Sequence, residues 1–344
     1  VLGSDKIPVR YKVRLGKALQ QDDQLNNNPP VFSVRAGGQA YYEWQFTCST
    51  VIDTTPPVVR SVFPDTGTTE DKNSVIQIDF SKAMDPTALQ GAFSANGSYF
   101  SLSGGVVYLK SGASTVPLGN FVLTNGYRTL EFTPSLQCGA NACGKAIYCL
   151  PVCDRPGASC PQKQDSYALL VRAGRAFTAG SFEAIPFSGA MDLSGNALDG
   201  NANGKVDIAP LSGDVFVEQS KPDNFFWNFA VRDAIDTTAP FIKQIRPGVD
   251  AQYVAPDEPV EILFSKRMRV DPLYNIAIEQ QPVLPTPLCR VPSATFNEKD
   301  GTTLAHISHC PFLQKDRNYY YPVITSDVED VHFNCLFPGS GPGG

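Results

Sequence analysis

The sequence predicts an all-β chain of packed sheets, on three observations. Short runs of alternating apolar residues recur between turns rich in Gly, Asn, Pro and Ser, no stretch sustains a helical period, and a long part of the chain repeats itself. Val106–Leu109, Leu130–Phe132 and Val215–Val217 are such runs, and strands this short at this spacing suggest β-sandwiches.

The repeat sets the organisation. Trp44-Gln-Phe46 followed by Asp53-Thr-Thr-Pro56-Pro-Val58 returns as Trp227-Asn-Phe229 followed by Asp236-Thr-Thr-Ala239-Pro-Phe241, with every matched position displaced by 183 residues. Downstream, Val75-Ile-Gln-Ile78-Asp-Phe80-Ser81-Lys82-Ala-Met84 is matched by Val260-Glu-Ile-Leu263-Phe264-Ser265-Lys266-Arg-Met268. Both begin as strands with one buried face and both end in Phe-Ser-Lys-x-Met. A shorter match aligns Val13-Arg-Leu15-Gly16 with Val171-Arg-Ala173-Gly174, and Tyr320–Ile324 reads as the same element again. Residues 1–52 are therefore expected to be the closing strands of one unit and 53–235 a complete unit. Residues 236–344 are expected to open a third unit that stops before its Trp-x-Phe strand and ends in a Pro/Gly tail.

Composition bounds the rest. The 344 residues are 42% apolar and 18% charged, enough to bury real cores. A net charge of −6 with no Lys/Arg block argues against a nucleic-acid partner. No apolar run is long enough to span a bilayer, and Val1–Asp5 does not read as a signal peptide. The chain is expected to begin at a processed end or partway through a longer protein. Nine cysteines in a β-rich chain point to an oxidising compartment, so the protein is expected to be secreted.

With these residues in place, a family likeness becomes specific. Asp-Thr-Thr-Pro-Pro, an alternating strand, Phe-Ser-Lys-x-Met-Asp and the later turn Gly195-Asn196-Ala197-Leu198 together resemble the bacterial Ig-like domains of S-layer proteins. The likeness covers about residues 53–344 and part of 1–52, and departs after Met268, where Arg269-Val270-Asp271-Pro272 replaces Asp85-Pro86. It implies tandem immunoglobulin-like β-sandwiches with no active site, of the sort found as spacers in surface proteins, adhesins, surface layers and extracellular fibres.

Candidate sites are few. Asp199-Gly-Asn201-Ala-Asn203-Gly204-Lys205-Val206-Asp207 follows the first nine positions of a calcium loop, with Asp199, Asn201, Asn203, Lys205 and Asp207 as the ligand positions. Pro210 stands where such loops carry a bidentate Glu, and Asp192 and Asn196 are expected to supply missing oxygens. The same residue types also simply make turns. Asp53 and Asp236 mark the junctions, as turn caps or as carboxylates that fix the angle between units.

Cys138, Cys143, Cys149, Cys153 and Cys160 crowd an insertion at about 134–166. Their spacing admits zinc, but a secreted loop-rich chain favours disulfides. Cys289 and Cys310 flank a two-strand stretch and are expected to pair. Cys48 and Cys335 lie in the partial units and are candidates for bridges between subunits. His306-x-x-His309 lies on a strand, where alternate facing keeps the two rings apart. Asn96-Gly97-Ser98 spells a glycosylation sequon. The terminal Gly339-Ser-Gly341-Pro-Gly-Gly344 has no helix to follow it, so no nucleotide site is expected, and no Cys-x-x-Cys-His supports haem.

The function expected from this reading is that of an extracellular structural protein. It would be the subunit of a surface filament or lattice, assembled with copies of itself by strand complementation. Ile7–Leu15 and Tyr41–Phe46 are the candidate donors. A spacer or adhesin region of a longer repeat protein is the alternative, and an accessory region of a secreted enzyme a second.

Overall fold

The structure, a computed structural model, describes residues 9–15, 42–48, 51–89, 94–96, 99–101, 107–111, 119–153, 163–175, 181, 188–207, 223–281, 290–297, 299–313 and 318–337. The expected strand Val215–Val217, Pro210, Cys160, Cys289 and the Pro/Gly tail lie outside the described residues. Contacts divide the chain into two compact units, Val1–Asp53 and Thr54–Gly344.

The first unit contributes a hairpin of β1 (Val9–Leu15) and β2 (Tyr42–Cys48), antiparallel, with Val13 opposite Trp44. Tyr11 and Phe46 face each other on it, their rings stacked at 5.5 Å.

The second unit holds two sandwiches. Its chain runs through β3 (Val59–Phe63), β4 (Thr69–Asp71), β5 (Ile76–Phe80), a single helical turn α1 (Pro86–Leu89), β6 (Ser94–Asn96), β7 (Tyr99–Ser101) and β8 (Val107–Ser111). It continues through β9 (Gly119–Thr124), β10 (Thr129–Pro134), β11 (Leu136–Ala140), β12 (Ala146–Cys149), β13 (Gln164–Val171) and β14 (Phe225–Arg232). Strands β3-β5-β10-β9 form one sheet and β4-β14-β13-β8-β7-β6 the other. Alternate residues of both point into one core: Ile76, Ile78, Leu130 and Phe132 from the first, Leu109, Leu169, Trp227 and Phe229 from the second. Two sheets that share one apolar layer are a β-sandwich.

The second sandwich repeats the plan in reduced form. Here β15 (Ile242–Arg246), β16 (Val260–Phe264), β18 (Arg290–Asn297) and β19 (Thr302–His309) form a sheet in the order β15-β16-β19-β18. The facing layer is β17 (Ala277–Gln281) paired with β20 (Tyr319–Val323). Ile262, Phe264, Ala305 and Ile307 of the larger sheet share a core with Ile278, against which Tyr320 packs. The pairing of β20 with β17 matches that of β13 with β8. On its other side β13 carries β14, whereas among the described residues β20 pairs with nothing there.

Register corrects one alignment by a small step. Trp44 lies opposite Val13, but Trp227 lies opposite Leu169, so the counterpart of Val13 is Leu169 and not Val171. An even shift leaves every side chain on its expected face, which is why an apolar pattern cannot detect it.

Candidate functional site

The shared Phe-Ser-Lys-x-Met motif proves to be a lock that ties the two ends of each sandwich together. Val58 N–H donates to Ser81 Oγ and Ser81 N–H to the Val58 carbonyl, both at 2.9 Å. Phe241 and Ser265 repeat the pair at the same distances. The lysines then reach carboxylates far along the chain. Lys82 Nζ donates to the Thr55 carbonyl at 2.8 Å and is paired with Asp192. Lys266 Nζ donates to the Thr238 carbonyl at 2.8 Å and lies 2.5 Å from Asp330 and 3.3 Å from Asp236.

Asp192 and Asp330 are both buried, and a buried carboxylate persists only when its oxygens are occupied. Asp192 Oδ1 accepts from the N–H groups of Ser194 and Asn196, and Asp330 Oδ1 from those of His332 and Asn334. The amides of Asn196 and Asn334 donate to the second oxygens. The turn Gly195-Asn196-Ala197-Leu198 therefore has a counterpart, Phe333-Asn334-Cys335-Leu336, that the sequence reading missed. Gly195 has φ +85°, and Phe333 holds the same left-handed conformation at +63° without being glycine. The spacing Asp-x3-Asn-x-Leu was the available signal. The structure places Asp192 and Asn196 in this lock.

Between the two sandwiches lies a closed junction, and its chief residues are the two arginines around Met268. Arg267 donates through Nε to Gln77 Oε1 at 2.8 Å and through its terminal nitrogens to Ser61 Oγ and the Val62 carbonyl. Its guanidinium lies 4.2 Å from the Phe296 ring centroid and 5.8 Å from that of Phe63, which a cation over an aromatic face favours. Arg269 bridges Glu131 at 2.9 Å and Glu329 at 3.1 Å and covers Phe333 at 4.8 Å. Burial opposes the charge of Arg269, but the two glutamates outweigh it and raise its pKa above the usual arginine value. The departure after Met268 thus inserts the arginine that grips the first sandwich.

Main-chain and apolar contacts complete the joint. Asn73 exchanges hydrogen bonds with the backbone of Asp236, accepting at 2.9 Å and donating at 2.8 Å, and it also donates to the His332 carbonyl. Asn125 makes the same two-way pair with Ala294 at 2.9 Å each way. Val331 and Phe333 share a small core with Val75, Ile147 and Cys149 of the first sandwich. Asp236 is a turn cap, its carboxylate accepting from Thr238 N–H, and it pairs with Lys266 of its own sandwich. Burial would raise its pKa, but Thr238 N–H, Lys266 and His332 outweigh that and hold it below the usual carboxylate value.

Cysteines staple the same place. Cys138 and Cys149 close the β11–β12 hairpin, and Cys143 at its tip is bonded to Cys335 of the second sandwich, Cα atoms 6.4 Å apart. Cys335 is therefore not a bridge between subunits, because its sulfur is already taken within the chain. Cys153 and Cys310 are also disulfide-bonded, while Cys48 is free. Among the described residues no three carboxylate, imidazole or thiol groups come together as a metal site. His306 lies 3.5 Å from Glu261, and His309 contacts the main-chain carbonyls of Cys310 and Glu258, so the two rings serve different neighbours.

The Asp199 loop is wound as a turn around its own first carboxylate. Asp199 accepts from Asn203 N–H at 3.2 Å and from Gly204 N–H at 2.7 Å, Asn201 Oδ1 from Asn203 N–H, and Asn203 Oδ1 from Lys205 N–H. Asn203 also donates through Nδ2 to Asp207. A residue absent from the sequence reading, Asp223, lies against the loop, accepting from Asp207 N–H.

Residues 53–142 match the bacterial Ig-like domain family. No curated protein matches the chain. Among solved structures, two of the S-layer protein SbsC, one of residues 31–844 and one of domains 1–6, are each 10% identical. They cover 82% and 78% of this chain, at TM-scores of 0.14 and 0.13, too low to carry a fold argument. The chain spans 58% and 54% of their lengths, a little over half. The family match runs from ahead of β3 of the first sandwich into the β11–β12 hairpin.

Proposed function

We propose that the chain is a structural part of an extracellular surface protein, in which Ig-like sandwiches are joined stiffly so that their spacing and angle are fixed. The observation that carries this reading is the junction. A flexible linker between sandwiches would leave a thin, polar contact, the default between domains. Here two arginines, a shared apolar cluster and the Cys143–Cys335 disulfide close it instead. A disulfide between sandwiches also fits an oxidising, extracellular setting.

Small-angle scattering on the oxidised chain tests this reading. A single rigid arrangement of residues 54–337 should fit the curve, with no gain from a flexible ensemble. A curve that demands independent sandwiches would overturn it.

Assembly into a filament or lattice is the finer form of the proposal, with strand complementation between copies as its means. The side of β20 that has no partner among the described residues supports it, since an unpaired strand edge is a template for another strand. Electron microscopy of the oxidised protein, over a range of concentrations, should then show ordered polymers. Dispersed particles throughout would leave the spacer or adhesin reading in its place.

A further inference from the structure

The loop at 199–207 has most of a calcium site and lacks the carboxylate that normally closes one. Calcium takes six to eight oxygens, and a loop of this type supplies them from alternate positions, one as a main-chain carbonyl. Asp199, Asn201 and Asn203 stand at the first three of those positions, Lys205 at the carbonyl position and Asp207 at the one that often acts through water.

Asp223 reaches this loop from outside it, just ahead of β14. Two contacts hold it there. Gly200 N–H donates to the Asp223 carbonyl at 3.0 Å, and Asp207 N–H donates to its Oδ2. The approach at Gly200 is so close that a Cβ there would meet the Asp223 carbonyl oxygen at 2.2 Å, so only glycine fits. Asp223 is only 2% exposed, yet its Oδ1 is buried with no hydrogen-bond partner among the described residues. An unpartnered buried carboxylate oxygen is costly, and natural proteins keep one where something else occupies it.

We propose that the loop binds one calcium ion and that Asp223 supplies its closing carboxylate. Asp199 and Asp223 are then the direct acidic ligands, with the amide oxygens of Asn201 and Asn203 and the Lys205 carbonyl completing an all-oxygen set. Asp207 acts through water. Hard oxygens without His or Cys suit calcium over transition metals, and a pliant loop with many ligands suits it over magnesium. The ion would pin the lead into β14, the strand that carries Trp227, to the loop end of the sandwich.

Isothermal titration of the metal-stripped 344-residue chain tests this, with calcium chloride and then magnesium chloride at neutral pH. One calcium per chain is expected, bound more tightly than magnesium. Asp223→Asn should weaken calcium by at least the roughly tenfold that loss of even an outer partner costs a metal site. No calcium binding, equal binding of the two ions, or unchanged affinity in Asp223→Asn would overturn the proposal. Should that variant not fold, amide exchange on the unaltered chain decides. Calcium should slow exchange at both 199–207 and 223–225, and protection confined to the loop would remove Asp223 from the site.

Discussion

The ammonium of Lys266 lies 2.5 Å from the carboxylate of Asp330, with no exposed surface left on the acid. Lys82 and Asp192 stand in the same relation in the first sandwich. The pair joins a strand end near the start of each sandwich to a turn near its close.

Removing the cation strands a buried charge. Lys266→Ala should cost about 3–5 kcal/mol, the range for breaking a buried ion pair from one side. Urea unfolding followed by tryptophan and tyrosine fluorescence would measure it. A loss near the surface-pair range, under about 1 kcal/mol, would mean the acid finds solvent or a proton instead.

Arg269 is the second place where one side chain carries a large share. It satisfies Glu131 of the first sandwich and Glu329 of the second at once. Arg269→Ala takes the cation from buried Glu131 and leaves buried Glu329 only Lys145, 3.4 Å away, and unfolding should separate into two transitions in calorimetry. One transition of unchanged sharpness would show that the apolar cluster and the disulfide suffice.

Replacing both Cys143 and Cys335 with serine should lower stability by roughly 2–5 kcal/mol, since the bond closes a long loop and restricts the unfolded chain. Denaturant midpoints with the other disulfides kept oxidised would report it. No change would mean that the junction already holds those chain segments in the unfolded state.

Acid should act on the junction through Asp236. Its native pKa is depressed, so the unfolded state binds the proton more readily. Its contribution is full above about pH 4, the unfolded carboxylate value, and is lost as pH falls through the lower native one. Asp236→Asn should flatten that part of the stability curve, and a variant curve parallel to the parent's would refute the assignment. Asp223 has the opposite sign. Its native pKa of about 6 is raised, so its contribution in metal-stripped protein is lost as pH rises through that value.

Much of the fold could be read from the chain because apolar alternation and the repeat are properties of neighbouring residues. Phe80-Ser81-Lys82 and Phe264-Ser265-Lys266 could be aligned by eye, and they make the same bonds. What they bond to could not be read so easily. Asp330 is distant in sequence, and its turn is disguised by Phe333 in the place of Gly195. Asp223 was invisible for a plainer reason: a lone aspartate carries no pattern until Gly200 admits it to the loop. Arg269 was noticed, but as a departure from the repeat. Its meaning lay in Glu131, a residue of the preceding sandwich.

The Cys143–Cys335 bond also decides which parts of the chain can feel a pull. The two cysteines are 192 residues apart, and tension entering before Cys143 and leaving after Cys335 runs through the sulfur bridge, bypassing the backbone between. At about 3.4 Å per extended residue, roughly 650 Å of polypeptide is withheld from stretching. The core strands β13, β14, β16 and β19 lie wholly inside that sheltered loop, so in a stretched surface protein the load would fall on the flanking segments and these strands would not be drawn out.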